Sequence, residues 1–541
     1  MKPRPAAEQT YRGEPASPGL AMGALVRLAP RVRAVDDANE SPAAAKSRLE
    51  AAIAQAKEEL SALVAANDAM GADILEFQLA LLDDPTLAEA AILAIDQGSG
   101  ATGALAAAVG EQIAVYESAE DDYFRARAAD LTDLRDRVIG ALSGTSDTPQ
   151  QALPDSAILL ADDMTPSVFL SFDWQRLGGA ALVAGSRASH VAMLARARGV
   201  PLLTGLGAEP ALADDAVLDA QDGLLVLSPG QATRARYADR IAAAQDLDRR
   251  AQDALSRPAA TAAGERIETM VNVDDPAAVS DAILQASDGV GLMRTEFLFI
   301  GRPRLPSEEE QYAAYAGLLD RLGGKPAVIR TLDVGGDKPL PGINLAAESN
   351  PFLGLRGIRL CLEKPELFRP QVRALLRAAV GWPLRVMLPM VATAGEVAEA
   401  RTVFAEVLAE LQRAGVPAAM PPLGIMVETP AAAIAIDLID VDFYSIGSND
   451  LTQYVMAASR DGGGRVAALN DPGHPAVLRL IRQVVAHGAA AGKPVSLCGD
   501  MASDPALAKQ LLAAGLRRLS VAPAALGRVK LAIAAMGPAD G

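Results

Sequence analysis

The sequence predicts an α/β multidomain protein: a helical region, a small α/β domain, then a C-terminal (β/α)8 TIM barrel. Three observations carry this prediction. From residue 265 onward, eight short apolar runs alternate with helical stretches, the pattern of a parallel sheet wrapped by helices. Residues 41–143 show helical periodicity and no strand signal. Between these two regions lie short apolar runs separated by turn residues. An open doubly wound sheet is the alternative for the C-terminal part. The count of eight, and the lack of a glycine-rich first strand-to-helix turn, favour closure into a barrel.

Taken in order, residues 15–28 read as a loop followed by a short strand. Ser41 and Pro42 open the helical part as N-cap and first helical residue, and Leu49, Ile53, Leu60 and Leu63 share one helical stripe. A second stretch carries Ile74, Phe77 and Leu81 and stops near Asp83-Asp84-Pro85; 86–97 and 102–142 follow, the last with breaks. The polar segment 146–156 is a linker. Ala157–Leu160, Gly179–Val183, Val200–Leu203 and Leu224–Leu227 read as strands of the small α/β domain, and 229–257 as a connecting helix. The barrel strands are expected at Ile267–Val273, Val290–Arg294, Ala327–Asp333, Arg385–Val391, Leu423–Glu428, Phe443–Gly447, Val495–Cys498 and Arg518–Val521. These readings bound a helical bundle at 41–144, a small α/β unit over 145–228, a linker helix 229–260, and the barrel 261–541.

Composition narrows the function. The 541 residues carry 50 Lys and Arg against 67 Asp and Glu, a formal charge of −17. That balance opposes phosphate-backbone binding, and 4% aromatic residues leave little to stack on bases, so no nucleic acid is expected. Two cysteines, Cys361 and Cys498, exclude a disulfide framework and suit a reducing compartment, hence a cytoplasmic setting. No apolar signal core or membrane span is predicted, so no membrane partner is expected. Three histidines are too few for a polyhistidine metal site.

The chemistry of a barrel sits at the C-terminal ends of its strands. Those ends supply Arg294 and Glu296, Arg330 and Asp333, Glu428, Asn449 and Asp450, and Cys498; Lys338, Arg356 and Arg460 lie in loops on the same expected face. A single arginine there is more often a structural ion pair. Several together need a small, multiply charged anion, because the guanidinium fork matches carboxylate and phosphate. Glu428 and Asp450 on neighbouring strands form a hard-metal pair suited to Mg2+. Glu296 and Asp333 read as supporting ion-pair partners. Cys361 reads as a small buried hydrophobe. Cys498, beside Gly499 and among cations, is placed to move a proton. The inventory fits a phosphorylated carboxylic acid with magnesium.

A second candidate site is Gly185-Ser186-Arg187-Ala188-Ser189-His190. Here a loop meets a helix N-terminus, where anions are stabilised. From its residues alone, His190 is either a phosphoryl carrier or an ordinary helix-start histidine. His474 reads as a structural turn residue, and His487 as a late helix position where a cation suits the dipole.

The segments GSRASHVAMLARARGVPLLTG, LMRTEFLFI, IRTLDVGGDKPLPGINLAAESNPFLGLRGIRL, LPMVATAGEV, GIMVETPAAA, FYSIGSNDLTQYVMAASR, DPGHPAVLRLI and SLCGDMASDPA, with the opening PASPGLAMG, together resemble Enzyme I of the bacterial phosphoenolpyruvate:sugar phosphotransferase system. The resemblance runs in order from about residue 13 to about 535. It implies phosphoryl transfer from phosphoenolpyruvate to His190 and then to the histidine phosphocarrier protein HPr. By motif position, Arg294, Arg330, Asn449 and Arg460 would bind phosphoenolpyruvate, with Arg356 and Lys338 in the same pocket. Glu428 and Asp450 would hold Mg2+, and Cys498 would protonate the departing enolpyruvate. The bundle, inserted into a swivelling phosphohistidine α/β domain made of 1–40 with 145–228, would dock HPr, and the barrel would make a homodimer. The bundle is acidic around Asp83, Asp84, Glu117, Glu120, Asp121 and Asp122, which suits a basic partner.

The sequence departs from the family pattern at three places: Ala188 replaces a hydroxyl residue beside the histidine, Phe169 stands where a threonine is usual, and Asp500 replaces glutamate after Cys498-Gly499. Because His190 and the barrel fall in different predicted domains, the small domain is expected to swivel, with hinges near 146–156 and 229–260. A phosphoenolpyruvate synthase or pyruvate phosphate dikinase is the alternative enzyme, and no glycine-rich nucleotide segment of suitable size precedes residue 150. A catalytically silent regulatory homologue is the other alternative, and the presence of His190, Glu428, Asp450 and Cys498 speaks against it.

Overall fold

The computed structural model describes residues 7–28, 40–67, 69–117, 122–144, 153–187, 189–300, 304–335, 343, 348–459, 466 and 468–537. They fall into two compact units, Met1–Gln245 and Asp246–Gly541.

The first unit holds nine strands among its described residues: β1 (Gln9–Arg12), β2 (Glu14–Ser17), β3 (Leu20–Gly23), β4 (Leu25–Arg27), β5 (Ile158–Ala161), β6 (Gly179–Leu182), β7 (Leu202–Thr204), β8 (Ala216–Asp219) and β9 (Leu224–Leu227). They form two sheets, ordered β2-β7-β6-β5-β4 and β1-β9-β8-β3. The first is parallel from β4 to β7, with β2 antiparallel at its edge. β5 shows why its residues read as one apolar run. Leu159 and Ala161 pack into the core shared with the helices, while Ile158 and Leu160 pack against the second sheet. A strand covered on both faces has no polar side to alternate with. The expectation of a loop and one short strand over 15–28 is corrected here, because three strands occupy that segment. β8 was also unanticipated. Its apolar run, Ala216–Leu218, is only three residues long and is bracketed by Asp215 and Asp219.

Between β4 and β5 the chain leaves the sheet for five helices: α1 (Pro42–Ala66), α2 (Ala69–Asp83), α3 (Pro85–Asp96), α4 (Ala101–Glu117) and α5 (Asp122–Leu142). The Ser41 side chain accepts the Ala44 N–H, as an N-cap should. Ala45, Leu49, Ala52, Ala56 and Leu60 form the buried stripe of α1. Asp83 pairs with Lys57 at 2.6 Å; Glu120 and Asp121 of the expected acidic patch lie outside the described residues. α6 (Pro166–Leu170) and α7 (His190–Arg198) pack on the sheet, and α8 (Gln231–Leu255) covers the outer face of the second sheet with Tyr237 against Val217 and Val226. Among the described residues, no helix is long and apolar enough to cross a membrane.

In the second unit, β10 (Glu268–Val273), β11 (Val290–Met293), β12 (Ala327–Arg330), β13 (Leu384–Leu388), β14 (Leu423–Val427), β15 (Tyr444–Gly447), β16 (Val495–Cys498) and β17 (Arg518–Val521) close in sequence order. Every pairing is parallel, including β10 with β17. Alternation along the strands sorts side chains. Ile329, Ile425, Val427 and Leu497 face the surrounding helices. Leu292, Val328, Met387, Met426, Phe443 and Cys498 fill the barrel interior. Strand β12 ends at Arg330, earlier than the expected Asp333. The Leu332 N–H donates to Gln371 Oε1 at 2.9 Å and the Asp333 N–H to Glu296 Oε1 at 2.9 Å, so side chains replace the sheet ladder there.

Candidate functional site

Two residues beyond the inward-facing Leu292, Val328 and Met426 come Arg294, Arg330 and Glu428. The period of two aims them into one cavity of about 420 Å³ at the C-terminal ends of the strands. Arg356, Asn449, Asp450 and Cys498 line the same cavity. Lys338 and Arg460 lie outside the described residues.

Each described guanidinium is already paired. Arg294 Nη1 lies 2.5 Å from Asp274 Oδ1. Arg330 reaches Glu296 Oε1 at 2.8 Å and Asp333 Oδ2 at 2.9 Å. Arg356 Nη2 lies 3.0 Å from Asp333 Oδ2 and 3.5 Å from Asp450 Oδ2. Burial works against the Arg330 charge, but Glu296, Asp333, Glu428 and Asp450 outweigh it and raise its pKa. Burial likewise opposes the charge on Arg356, and Asp333 and Asp450 overcome it. Arginines were expected to dominate this mouth. Among its described lining residues, however, five carboxylates (Asp274, Glu296, Asp333, Glu428 and Asp450) face three guanidinium groups, a deficit of two positive charges.

The deficit is concentrated at one point. Ligand atoms of Asp333, Glu428 and Asp450, all buried, lie within 4.8 Å of one another. Burial, then Asp333 and Asp450, pushes the Glu428 carboxyl well above its ordinary range. Arg330 and the Met390 N–H, which donates to Glu428 Oε1 at 2.6 Å, oppose that rise. Three carboxylate oxygens in so small a volume require a proton or a cation between them, and an all-oxygen donor set suits a hard divalent ion. Asp333 is the ion-pair partner it was expected to be, and its carboxylate also belongs to this cluster.

Asn449 is held from both sides by Asp500. The Asp500 N–H donates to Asn449 Oδ1 at 2.9 Å, and Asn449 Nδ2 donates to Asp500 Oδ2 at 3.1 Å. The aspartate at 500 thus orients the amide. Gly499 has φ +104°, and a Cβ there would lie 2.4 Å from Ser448 Oγ, so only glycine permits this approach. Cys498 is 1% exposed. Its thiol donates to the Ile446 carbonyl at 3.5 Å and accepts from Ser445 Oγ at 3.6 Å. Burial pushes the thiol pKa up against the pull of Ser445 and Arg294, so it stays protonated at neutral pH. Cys361 is buried with its thiol 3.6 Å from the Leu332 carbonyl, a packing residue as expected.

His190 belongs to the first unit, at the first turn of α7. Ser189 caps that helix by accepting the Ala192 N–H at 3.2 Å. Arg196 fastens the preceding loop by donating to the carbonyls of Ala16 at 2.8 Å and Arg187 at 3.0 Å. Asp130 of α5 lies with Oδ1 3.5 Å from His190 Nδ1. Phe169 is buried and stacks on Trp174 with ring centroids 4.6 Å apart, so it is a core residue. Ala188 lies outside the described residues. His474 caps the helix Pro475–Ala491 by accepting the Ala476 N–H at its Nδ1. His487 meets the Tyr444 hydroxyl at 3.3 Å.

Sequence reasoning missed Asp274 and Asp130. Asp274 directly follows β10, so reading the end of the first barrel strand as closely as the others finds it. Asp130 shares a helical stripe with Asp133 and Arg137 on α5, a polar row inside an apolar bundle.

The second unit matches the family model for the PEP-binding domain of PEP-utilising enzymes over residues 248–537. The models for the N-terminal and mobile domains of PEP-utilising enzymes match residues 12–127 and 153–223. The chain is 39% identical over 526 residues to a phosphoenolpyruvate-protein phosphotransferase of Bacillus sp. (strain S), covering 95% of this chain and 91% of the relative. The corresponding protein of Geobacillus stearothermophilus gives the same identity and coverage. That of Haloferax volcanii is 41% identical over 478 residues, covering 87% of this chain and 83% of the relative.

Proposed function

The chain belongs to the PEP-utilising enzymes, as one of their phosphoenolpyruvate-protein phosphotransferases, and from that premise we propose that it carries the phosphoryl group of phosphoenolpyruvate on His190 to the phosphocarrier HPr. One observation carries this assignment of roles: Arg294, Arg330, Arg356, Asn449 and Cys498 share a single cavity with the acidic cluster.

Phosphoenolpyruvate brings a phosphate and a carboxylate. Arg294, Arg330 and Arg356 exchange their present carboxylate partners for those oxyanions, with Asn449 donating its amide to one of them. Arg460 and Lys338 complete the set by motif position. Glu428 and Asp450, with Asp333 beside them, would hold Mg2+, which when bound supplies charge neutralisation on the phosphate oxygens. Neutral His190 attacks phosphorus in line as the bond to the enol oxygen breaks. Cys498, kept protonated by burial, gives its proton to the methylene carbon of the enolpyruvate, and pyruvate leaves. His190 and the barrel belong to different units, so the first unit must swing toward the barrel mouth and away again, with the 229–260 segment as hinge.

The bundle Pro42–Leu142 is the docking element for HPr in this reading. The chain works as a homodimer through the barrel, in the cytoplasm, at the head of sugar uptake. The test is labelling with radioactive phosphoenolpyruvate or ATP. The expected result is base-stable, acid-labile label from phosphoenolpyruvate alone, passed on to HPr and absent from His190→Ala. Label on His190→Ala, or label from ATP, would overturn the assignment.

A further inference from the structure

One stripe of α5 is polar although it faces the protein interior. Asp130, Asp133 and Arg137 recur at helical spacing and are 0%, 1% and 5% exposed. Two of them are locked. Ser167 donates its hydroxyl to Asp133 Oδ1 at 2.6 Å and its N–H to Oδ2 at 2.9 Å, and Gln78 Nε2 donates to Oδ2 at 3.0 Å. Arg137 donates to Ser167 Oγ at 2.6 Å and to Glu59 Oε2 at 2.9 Å. The side chains on α1, α2, α5 and α6 thus fix the position of α5, and Asp130, one turn away, is fixed with it. Asp130 Oδ1 stands 3.5 Å from His190 Nδ1, within ion-pair reach.

We propose that Asp130 is the positioning residue of His190: it holds the imidazole in its Nδ1–H form, aims Nε2 at the phosphoryl donor, and steadies the positive ring that forms. A carboxylate set behind a working histidine fixes tautomer and orientation together. The step balances without a proton leaving the ring. The Nε2–P bond forms, the P–O bond to the enol breaks, and the ring becomes a phosphoimidazolium whose Nδ1–H faces Asp130. On transfer onward the Nε2–P bond breaks and the proton stays on Nδ1. The opposite tautomer would have to shed its Nε2 proton before attack. The kinetic part of the proposal rests on His190 being the phosphoryl acceptor.

The test uses the full chain with Asp130→Leu, which removes the acceptor at similar volume, and Asp130→Glu, which restores it. Nitrogen-15 NMR of labelled histidine reads the tautomer, and rapid-quench labelling with phosphoenolpyruvate reads the rate. The native protein should show Nδ1–H at His190, and Asp130→Leu should lose that preference. His190 phosphorylation at saturating phosphoenolpyruvate should slow about 10–100-fold, with the half-saturating concentration unchanged because Asp130 does not touch the substrate. Asp130→Glu should recover part of the rate. If Asp130→Leu does not fold, Asp130→Asn carries the same readouts. An Nε2–H tautomer in the native protein, or a native rate in the variant, overturns the proposal. Label on His190→Ala would instead overturn the assignment of His190, and the tautomer result would stand apart from it.

Discussion

Replacing Arg330 by methionine removes the most deeply buried cation among the described residues of the barrel mouth while keeping most of its stem. Arg330 is 7% exposed and bonds Glu296 and Asp333 at 2.8 and 2.9 Å. Taking one partner from a buried ion pair leaves the other charge uncompensated, at a cost of about 3–5 kcal/mol. Here two carboxylates lose their contact, and Glu428 and Asp450 lose a nearby opposing charge. Each kcal/mol moves the melting point of a domain of this size by roughly 2–4 °C, so the barrel transition should fall by about 6–20 °C. Scanning calorimetry of the full chain reads this directly. The double variant Arg330→Met/Glu296→Gln should recover part of the loss, because it also removes a stranded carboxylate. A drop under about 2 °C in the single variant would mean that water screens these charges. The electrostatic account of the mouth would then be wrong.

Three other outcomes follow from the same geometry. Asp450→Asn removes one oxygen donor from the cluster with Glu428 and Asp333, and should weaken Mn2+ binding, followed by electron paramagnetic resonance, at least about tenfold. Cys498→Ala should leave phosphoenolpyruvate affinity near native while lowering pyruvate formation by about 10²–10⁴-fold; in the native chain, a thiol reagent should not reach Cys361, packed in the barrel core, before denaturation. The third outcome concerns Glu310, which caps the helix Glu308–Leu322. Bonds from Arg304, then from the Ser307 N–H and hydroxyl, depress its carboxyl from 4.5 to about 2. A depressed carboxylate contributes stability that is fully present above pH 4.5 and lost as pH falls toward 2. Glu310→Gln should therefore be less stable than the native chain at pH 7, with the gap in chemical denaturation closing as pH drops below 4.5.

Most of the fold was legible because strands and helices of this chain bury one-sided or two-sided apolar patterns over local stretches. All eight barrel strands appear where apolar runs predicted them, and Ser41-Pro42 opens α1 as its residue types dictate. β1, with three of its four residues exposed, and β2, β3, β4 and β8, whose apolar runs are cut to three residues or fewer by charged residues or glycine, lacked such a pattern. The site was legible to the same extent. The inward parity that carries Leu292 to Arg294, Val328 to Arg330 and Met426 to Glu428 is a property of adjacent residues.

What sequence alone determined is therefore the set of elements and which residues stand at the strand ends. Only tertiary structure decided which of those residues touch. Closure of β10 onto β17 joins strands 250 positions apart in their register. Among the described residues, that closure brings five carboxylates against three arginines and makes Asp333 a neighbour of Glu428 and Asp450. Asp130 meets His190 across 60 residues of chain because α5 packs where Ser167, Glu59 and Gln78 hold it. Backbone periodicity is set by each residue's immediate neighbours. The pairing of charges is set by distances through space, which exist only once the chain has packed.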